Sequence, residues 1–298
     1  MVLAFIAFVA GTLLTLRQPK NKQLFTKEGF VTVALGWIVL SMYGALPFVL
    51  TGDIPSYVDA LFETISGFTT TGASILSDVE ALSYTNLFWR SFTHWIGGMG
   101  VFVFILAILP MIGGSTMYLM KAESPGPSVD KFVPRVKDTA KILYTLYIGI
   151  TLLQIVCLLL AGMPLFDTLT HTFGTVGTGG FGIKNSSIGG YTSLQQNIIT
   201  FFMIASGVNY SAYFYIISKN FKDAFKMEEV RWYFGIILAS VFIITLNTWH
   251  LYTGFGETVK HSFFQVASII TTTGYSTTDF DLWPELSKTI LVLLMVIG

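Results

Sequence analysis

Charge is what this chain has least of. Charged residues make up 11% of its 298 positions against 53% hydrophobic, and mean hydropathy is +0.67. Soluble domains carry about 25% charged residues, so the composition excludes a soluble enzyme and indicates an integral membrane chain. Formal net charge is zero, which removes any bulk attraction to nucleic acid or to an acidic partner. Cysteine is nearly absent. Cys157 stands alone, excluding an intrachain disulfide and a multi-cysteine metal centre; in its apolar run it reads as a small core residue. His94, His171, His250 and His261 have neither metal-ligand spacing nor a carboxylate at catalytic spacing. No paired aspartates, Ser/His pair or His-x-x-x-His set lies in an apolar run, so intramembrane catalysis has no candidate residues. A basic n-region and a small-residue cleavage site are also missing around the first apolar run, 2–16. It ends in Arg17, Lys20 and Lys22 and reads as a membrane helix rather than a signal peptide.

What is present has a rhythm. Runs at 29–50, 87–110, 142–161, 197–218 and 232–251 approach the roughly 20 apolar residues that span a bilayer. Between them lie shorter, more polar stretches at 56–68, 165–174 and 257–270. These are too short to span and suit re-entrant helices. Each leads into a phrase of threonine and glycine: Thr69-Thr70-Thr71-Gly72-Ala73-Ser74, Thr175-Val176-Gly177-Thr178-Gly179-Gly180-Phe181, and Thr271-Thr272-Thr273-Gly274-Tyr275-Ser276. Phe62 and Phe264 stand ten residues before Gly72 and Gly274; Ser66 and Ser268 stand six before. In the middle phrase the register is open, since Gly177, Gly179 or Gly180 could take the equivalent place. The last run, 286–298, is again short.

Glycine leaves room for carbonyls to converge on one point, and rings of carbonyls replace a cation's water shell. A short helix running inward from the outer face aims the negative end of its dipole at such a point. Irregular backbone at membrane depth requires burial in protein or a wet cavity. Three such segments at matching places therefore read as parts of one cation filter: Thr70, Thr71 and Gly72; Thr178, Gly179 and Gly180; Thr272, Thr273 and Gly274.

Charge placement orients the chain. The loops opposite the phrases hold thirteen basic residues: Arg17, Lys20, Lys22, Lys27, Lys121, Lys131, Arg135, Lys137, Lys141, Lys219, Lys222, Lys226 and Arg231. The phrase side holds Arg90, Lys184, Lys260 and Lys288. Cytoplasmic loops are rich in Lys and Arg, so the filter faces outward. Asp53, Asp59, Glu63, Asp78, Glu80, Asp167, Glu257, Asp279, Asp281 and Glu285 share that side and form an acidic vestibule in this reading.

Several stretches resemble the Trk/Ktr/HKT superfamily of potassium transporters, in particular its bacterial TrkH-type membrane subunits. They are 28–30 with 44–48; Leu61-Phe62-Glu63-Thr64-Ile65-Ser66-Gly67-Phe68-Thr69-Thr70-Thr71-Gly72; Phe88-Trp89-Arg90-Ser91 to Trp95-Ile96-Gly97-Gly98-Met99-Gly100; Thr178-Gly179-Gly180-Phe181; and Thr272-Thr273-Gly274. The resemblance implies an all-α polytopic membrane protein of helix–pore-helix–helix units around a pseudo-fourfold axis. It implies K⁺ as the transported ion with no covalent cofactor, a homodimer in the inner membrane, and a cytoplasmic nucleotide-binding regulatory subunit (TrkA-like). In plant relatives a serine at the first filter glycine goes with Na⁺; Gly72 points to K⁺. The units are expected at 28–121, 139–221 and 222–298, after an N-terminal hairpin end at 1–27 and with a linker at 122–138. A fourth unit is not among these residues, so the chain is expected to be a fragment cut at both ends.

Arg90 is expected to brace the filter through Glu63 or a backbone carbonyl. Gly97, Gly98 and Gly100 are expected to allow close packing. Gly207-Val208-Asn209 interrupts one inner helix as a hinge (Gly207, Asn209) or a packing break. The alternative function is a Na⁺- or H⁺-coupled symporter with a midplane site. It requires an ionisable residue mid-helix, and no run offers one.

Overall fold

The computed structural model describes residues 26–100 and 136–298, plus positions 9, 11–13 and 16. Most of the expected span at 2–16, Arg17, Lys20, Lys22, the far half of the run 87–110, Lys121, Lys131, Arg135 and the linker through residue 135 lie outside the described residues.

All regular structure among the described residues is helical. In order these are α1 (Thr26–Gly44), α2 (Leu46–Thr51), α3 (Tyr57–Phe68), α4 (Tyr84–Gly98), α5 (Val136–Leu160), α6 (Leu165–Val176), α7 (Ser193–Gly207), α8 (Tyr210–Ile217), α9 (Phe221–Lys226), α10 (Glu228–Thr248), α11 (Phe255–Ile270) and α12 (Glu285–Ile297). Among the described residues three stretches are long and apolar enough to cross a membrane: Ala34–Thr51, Ile142–Leu160 and Glu228–Leu251. Their apolar side chains face outward, including Leu152, Leu153 and Leu160 on α5 and Leu238, Phe242 and Leu246 on α10. The short helices bury polar groups instead, such as Thr168, His171 and Thr172 on α6 and Ser262, Gln265 and Ser268 on α11. That inversion of the soluble pattern fits a chain whose solvent is lipid. Cys157 is half-buried on α5 rather than a core residue.

Two compact units divide the chain, 1–61 with 101–141, and 62–100 with 142–298. In the first, Pro47 sits in the first turn of α2 and Gly52 closes it in the left-handed region (φ 81°), the usual places for each. Tyr57 donates its hydroxyl to the Met42 carbonyl at 3.1 Å.

The second unit holds all three Thr/Gly loops. Here α4 packs on α6, α7 on α6 and α11, and α10 and α12 on α11. Its core includes Leu158, Ile199, Met203, Ile244, Phe264 and Leu291. Local signals set the helix starts: Ser83 caps α4, Thr192 and Gln195 form a capping box on α7, and Pro164 and Pro284 precede α6 and α12. In lipid no hydrophobic drive holds helices together, and interhelical hydrogen bonds average about 0.6 kcal/mol. Trp95 donates to Thr151 at 3.1 Å, Tyr147 to the Trp95 carbonyl at 2.8 Å, and Asn247 to Ser287 at 2.9 Å.

Two expected spans are interrupted. Among the described residues of the run 87–110 the helix ends at Gly98, followed by Met99 and a left-handed Gly100 (φ 67°). Close backbone contact explains the glycines there: a Cβ on Gly97 would overlap the Phe68 carbonyl, and one on Gly98 would overlap Gly177. The run 197–218 breaks after Gly207, where Val208 is extended (ψ 138°) before α8 begins.

Candidate functional site

Each of α3, α6 and α11 ends in the same way. A threonine adopts the left-handed conformation two residues past the helix: Thr70 (φ 53°), Thr178 (φ 53°) and Thr272 (φ 57°). Two residues on, a glycine does the same: Gly72 (74°), Gly180 (77°) and Gly274 (83°). The threonine amides bond back three residues, to Gly67, Thr175 and Ile269, at 3.0–3.1 Å. The next amides, of Thr71, Gly179 and Thr273, bond back five, to Ser66, Gly174 and Ser268, each at 2.9 Å. This is a Schellman closure with threonine where glycine is the norm. Left-handed backbone costs a β-branched residue about 1–2 kcal/mol, and such strain persists only where surroundings impose it.

The geometry resolves the register of the middle phrase. Gly180 occupies the place of Gly72 and Gly274, while Gly179 matches Thr71 and Thr273. Ser66 and Ser268 have matching tasks as well, donating their hydroxyls to Ala73 and Tyr275 carbonyls at 2.6 Å.

The loops lie edge to edge. A Cβ on Gly72 would overlap the Gly179 carbonyl, and a Cβ on Gly180 would overlap the Thr273 carbonyl. Glycine is required at both because each lies against the neighbouring loop's carbonyl. At Gly274 the same position is open. Hydroxyl pairs back the outer two loops, Thr69 with Thr71 at 2.7 Å and Thr271 with Thr273 at 2.8 Å.

Arg90 joins two of the loops. Its Nε donates to Glu63 Oε1, its Nη2 to Ser74 Oγ at 3.2 Å, and its Nη1 to the Gly182 carbonyl at 2.9 Å. The guanidinium also lies 3.8 Å from the Phe181 ring centroid, within cation–π range. Glu63 accepts further bonds from Ser74 Oγ at 3.0 Å and the Ile75 amide at 3.0 Å. Both members of the pair are buried, 1% and 3% exposed. Glu63 is therefore removed from the vestibule that the sequence assigned it to, because its carboxylate is fully engaged below the surface. His94, one turn after Arg90, has no role in the sequence reading. It is fully buried and stacks on Phe181, 4.1 Å between centroids.

Other contacts fasten the loops to one another. Asn185 accepts from the Val79 amide at 2.9 Å and donates to Asp78 at 2.8 Å, tying the chain after loop one to the chain after loop two. The Ile188 amide bonds the Ser276 carbonyl at 3.0 Å, and the buried Tyr275 hydroxyl reaches the Phe181 carbonyl at 3.4 Å. On the rim, Tyr191 donates to Asp167 at 2.8 Å beneath Lys184. Burial, with that carboxylate, pushes its phenol well above the ordinary range, so it remains a donor. Gly207 packs against Thr271, and Asn209 donates to Glu229 at 2.7 Å. Among the described residues no three His, Cys, Asp or Glu side chains gather as a metal site.

A family profile described as TrkH, a cation transport protein, matches residues 1–298. The chain belongs to the TrkH family. This is a family of cation transport proteins, not of enzymes. The Trk system potassium uptake protein TrkH of Salmonella typhimurium is 38% identical over 302 residues, covering 99% of this chain and 62% of that protein. TrkH of Halomonas elongata is 36% identical, covering 93% of this chain and 59% of that protein. The crystal structure of the potassium transporter TrkH from Vibrio parahaemolyticus superposes with a TM-score of 0.81 at 31% identity, covering 98% of this chain and 61% of that one. The chain thus spans about three fifths of the length of these TrkH-family relatives.

Proposed function

We propose that this chain forms part of the pore of a potassium uptake protein, and that its three Thr/Gly loops contribute to one carbonyl-lined K⁺ filter. The carrying observation is their edge-to-edge repeat, with Gly72 seated on the Gly179 carbonyl and Gly180 on the Thr273 carbonyl. Thr70, Thr178 and Thr272 turn the chain out of each short helix, and the helix C-termini put their partial negative charge beneath the ion. The loops belong to helix–pore-helix–helix units around a pseudo-fourfold axis. The filter opens to the outside of the inner membrane, and the basic loops are cytoplasmic.

The named relatives are Trk system components. That naming supports a system with further components; in this reading these include a cytoplasmic nucleotide-binding regulatory subunit, and the chain works as a homodimer in lipid. The Glu63–Arg90 pair is neutralised internally and bonded to two loops, so it braces the filter. Gly72 carries the preference for K⁺ over Na⁺. Gly72→Ser tests this in the full chain, read as the K⁺/Na⁺ permeability ratio from reversal potentials in bilayers. A fall in the ratio is expected; an unchanged ratio rejects the filter assignment.

A further inference from the structure

The middle loop breaks the Thr-Thr-Thr-Gly pattern of its neighbours. Where loops one and three carry the hydroxyl pairs Thr69–Thr71 and Thr271–Thr273, loop two carries Gly177 and Gly179. It has no hydroxyl at either place, yet it is the most enclosed of the three, with Gly177 and Gly179 both buried. The space that those two side chains would fill is taken by one residue of another helix. A Cβ on Gly177 would overlap the His94 carbonyl, and a Cβ on Gly179 would overlap the His94 imidazole.

That imidazole does more than fill space. Its Nδ1 accepts the Phe181 amide at 3.3 Å. Phe181 directly follows Gly180, so this bond holds the backbone on the outer side of the filter glycine. The ring stacks on the Phe181 side chain with planes 22° apart. Its Nε2 is buried with no hydrogen-bond partner, and the backbone of Ser66 in loop one forms part of the imidazole's electrostatic surroundings. Ser66 is the residue whose carbonyl closes that loop by accepting the Thr71 amide. His94 therefore stands between loops one and two, fully buried, one helical turn from Arg90, which spans the same two loops farther out.

We infer that His94 is a selectivity-determining positioning residue: its imidazole replaces, from α4, the threonine hydroxyl pair that loop two lacks, and sets the distance between loops one and two. The inference rests on the filter reading above. It explains the glycine at 179, where any larger residue would collide with the brace, while Gly177 makes room for the backbone carbonyl of the same residue. It also requires a ring nitrogen that accepts, which a phenyl group lacks and a carboxamide oxygen supplies.

The test uses the full chain in bilayers, with the K⁺/Na⁺ permeability ratio as readout and thermal stability in detergent as a separate measurement. His94→Phe keeps the ring and removes the acceptor. Loss of one buried hydrogen bond of typical strength lowers the ratio by about fivefold, whereas His94→Gln keeps it within about twofold of the parent. An unchanged ratio in His94→Phe, or equal losses in both variants, overturns the inference. If His94→Phe does not reach the membrane, a double-mutant cycle takes its place. Gly179→Ala collides with the imidazole, so its loss of selectivity should shrink in a His94→Ala background; losses that simply multiply overturn the inference. Gly180→Ala separates the two readings. If it lowers the ratio while the His94 series does not, only the brace fails. If it leaves the ratio unchanged, the filter reading fails and the brace falls with it.

Discussion

Gly180→Ala and Gly162→Ala form a matched pair that isolates the role of a single carbonyl. Both glycines are left-handed, at φ 77° and 75°. An alanine at either therefore carries the same backbone penalty, about 1–2 kcal/mol. They differ in what a methyl group meets. At Gly162, between α5 and α6, nothing lies within 4 Å; at Gly180 the methyl would overlap the Thr273 carbonyl. To regain ordinary contact near about 3.5 Å, that carbonyl must withdraw by roughly an ångström or more. A carbonyl oxygen with about half a charge, moved from about 3 to about 4 Å from a monovalent cation at an effective dielectric of about 20, loses ~0.7 kcal/mol of attraction. That is about a threefold loss of K⁺ affinity from one ligand, and the distorted ring admits Na⁺ more readily. Gly180→Ala should lose more thermal stability than Gly162→Ala, because its methyl adds an overpacking cost of about 1–3 kcal/mol to the shared backbone penalty. Only Gly180→Ala should lower the K⁺/Na⁺ permeability ratio, by about threefold or more. Equal ratios in the two variants, or equal losses, would refute the placement of the Thr273 carbonyl at the ion.

Two further variants probe the support beneath the loops. Glu63→Gln leaves the Arg90 guanidinium buried without its counter-charge, and breaking such a pair costs about 3–5 kcal/mol; detergent melting should show a large loss, while a melt like the parent's would mean the pair is not a brace. Thr70→Gly relieves left-handed strain of about 1 kcal/mol and removes a hydroxyl but no carbonyl, so stability should rise with the permeability ratio retained; a lost ratio would assign ion coordination to the side chain.

Much of this was legible in the residues themselves. Asp, Glu and Thr scattered through apolar runs of about thirteen residues marked α3, α6 and α11 as too short and too polar to span. The six-residue interval from Ser66 to Gly72 and from Ser268 to Gly274 carries a real constraint, because each serine closes its loop through both its carbonyl and its hydroxyl. The middle loop was harder. Gly174 stands where a serine stands in the other two, and three nearby glycines offered competing registers. Glu63 carried two readings, an outer-face carboxylate and the brace partner of Arg90, and His94 looked like an isolated histidine in an apolar helix, since their partners lie 11 to 87 positions away.

By itself the sequence determined the membrane class, the alternation of spanning and short helices, and the three places where threonine and glycine interrupt them. Those follow from composition, run length and local backbone preference, which neighbouring residues express without a fold. The tertiary structure decided which glycine of the middle phrase faces its neighbour's carbonyl, that Glu63 belongs to the brace with Arg90 rather than to the surface, and that His94 stands beside it behind the loops. The physical reason is contact. Whether a Cβ fits at Gly177, Gly179 or Gly180 depends on atoms of His94 and Thr273 that only folding brings there.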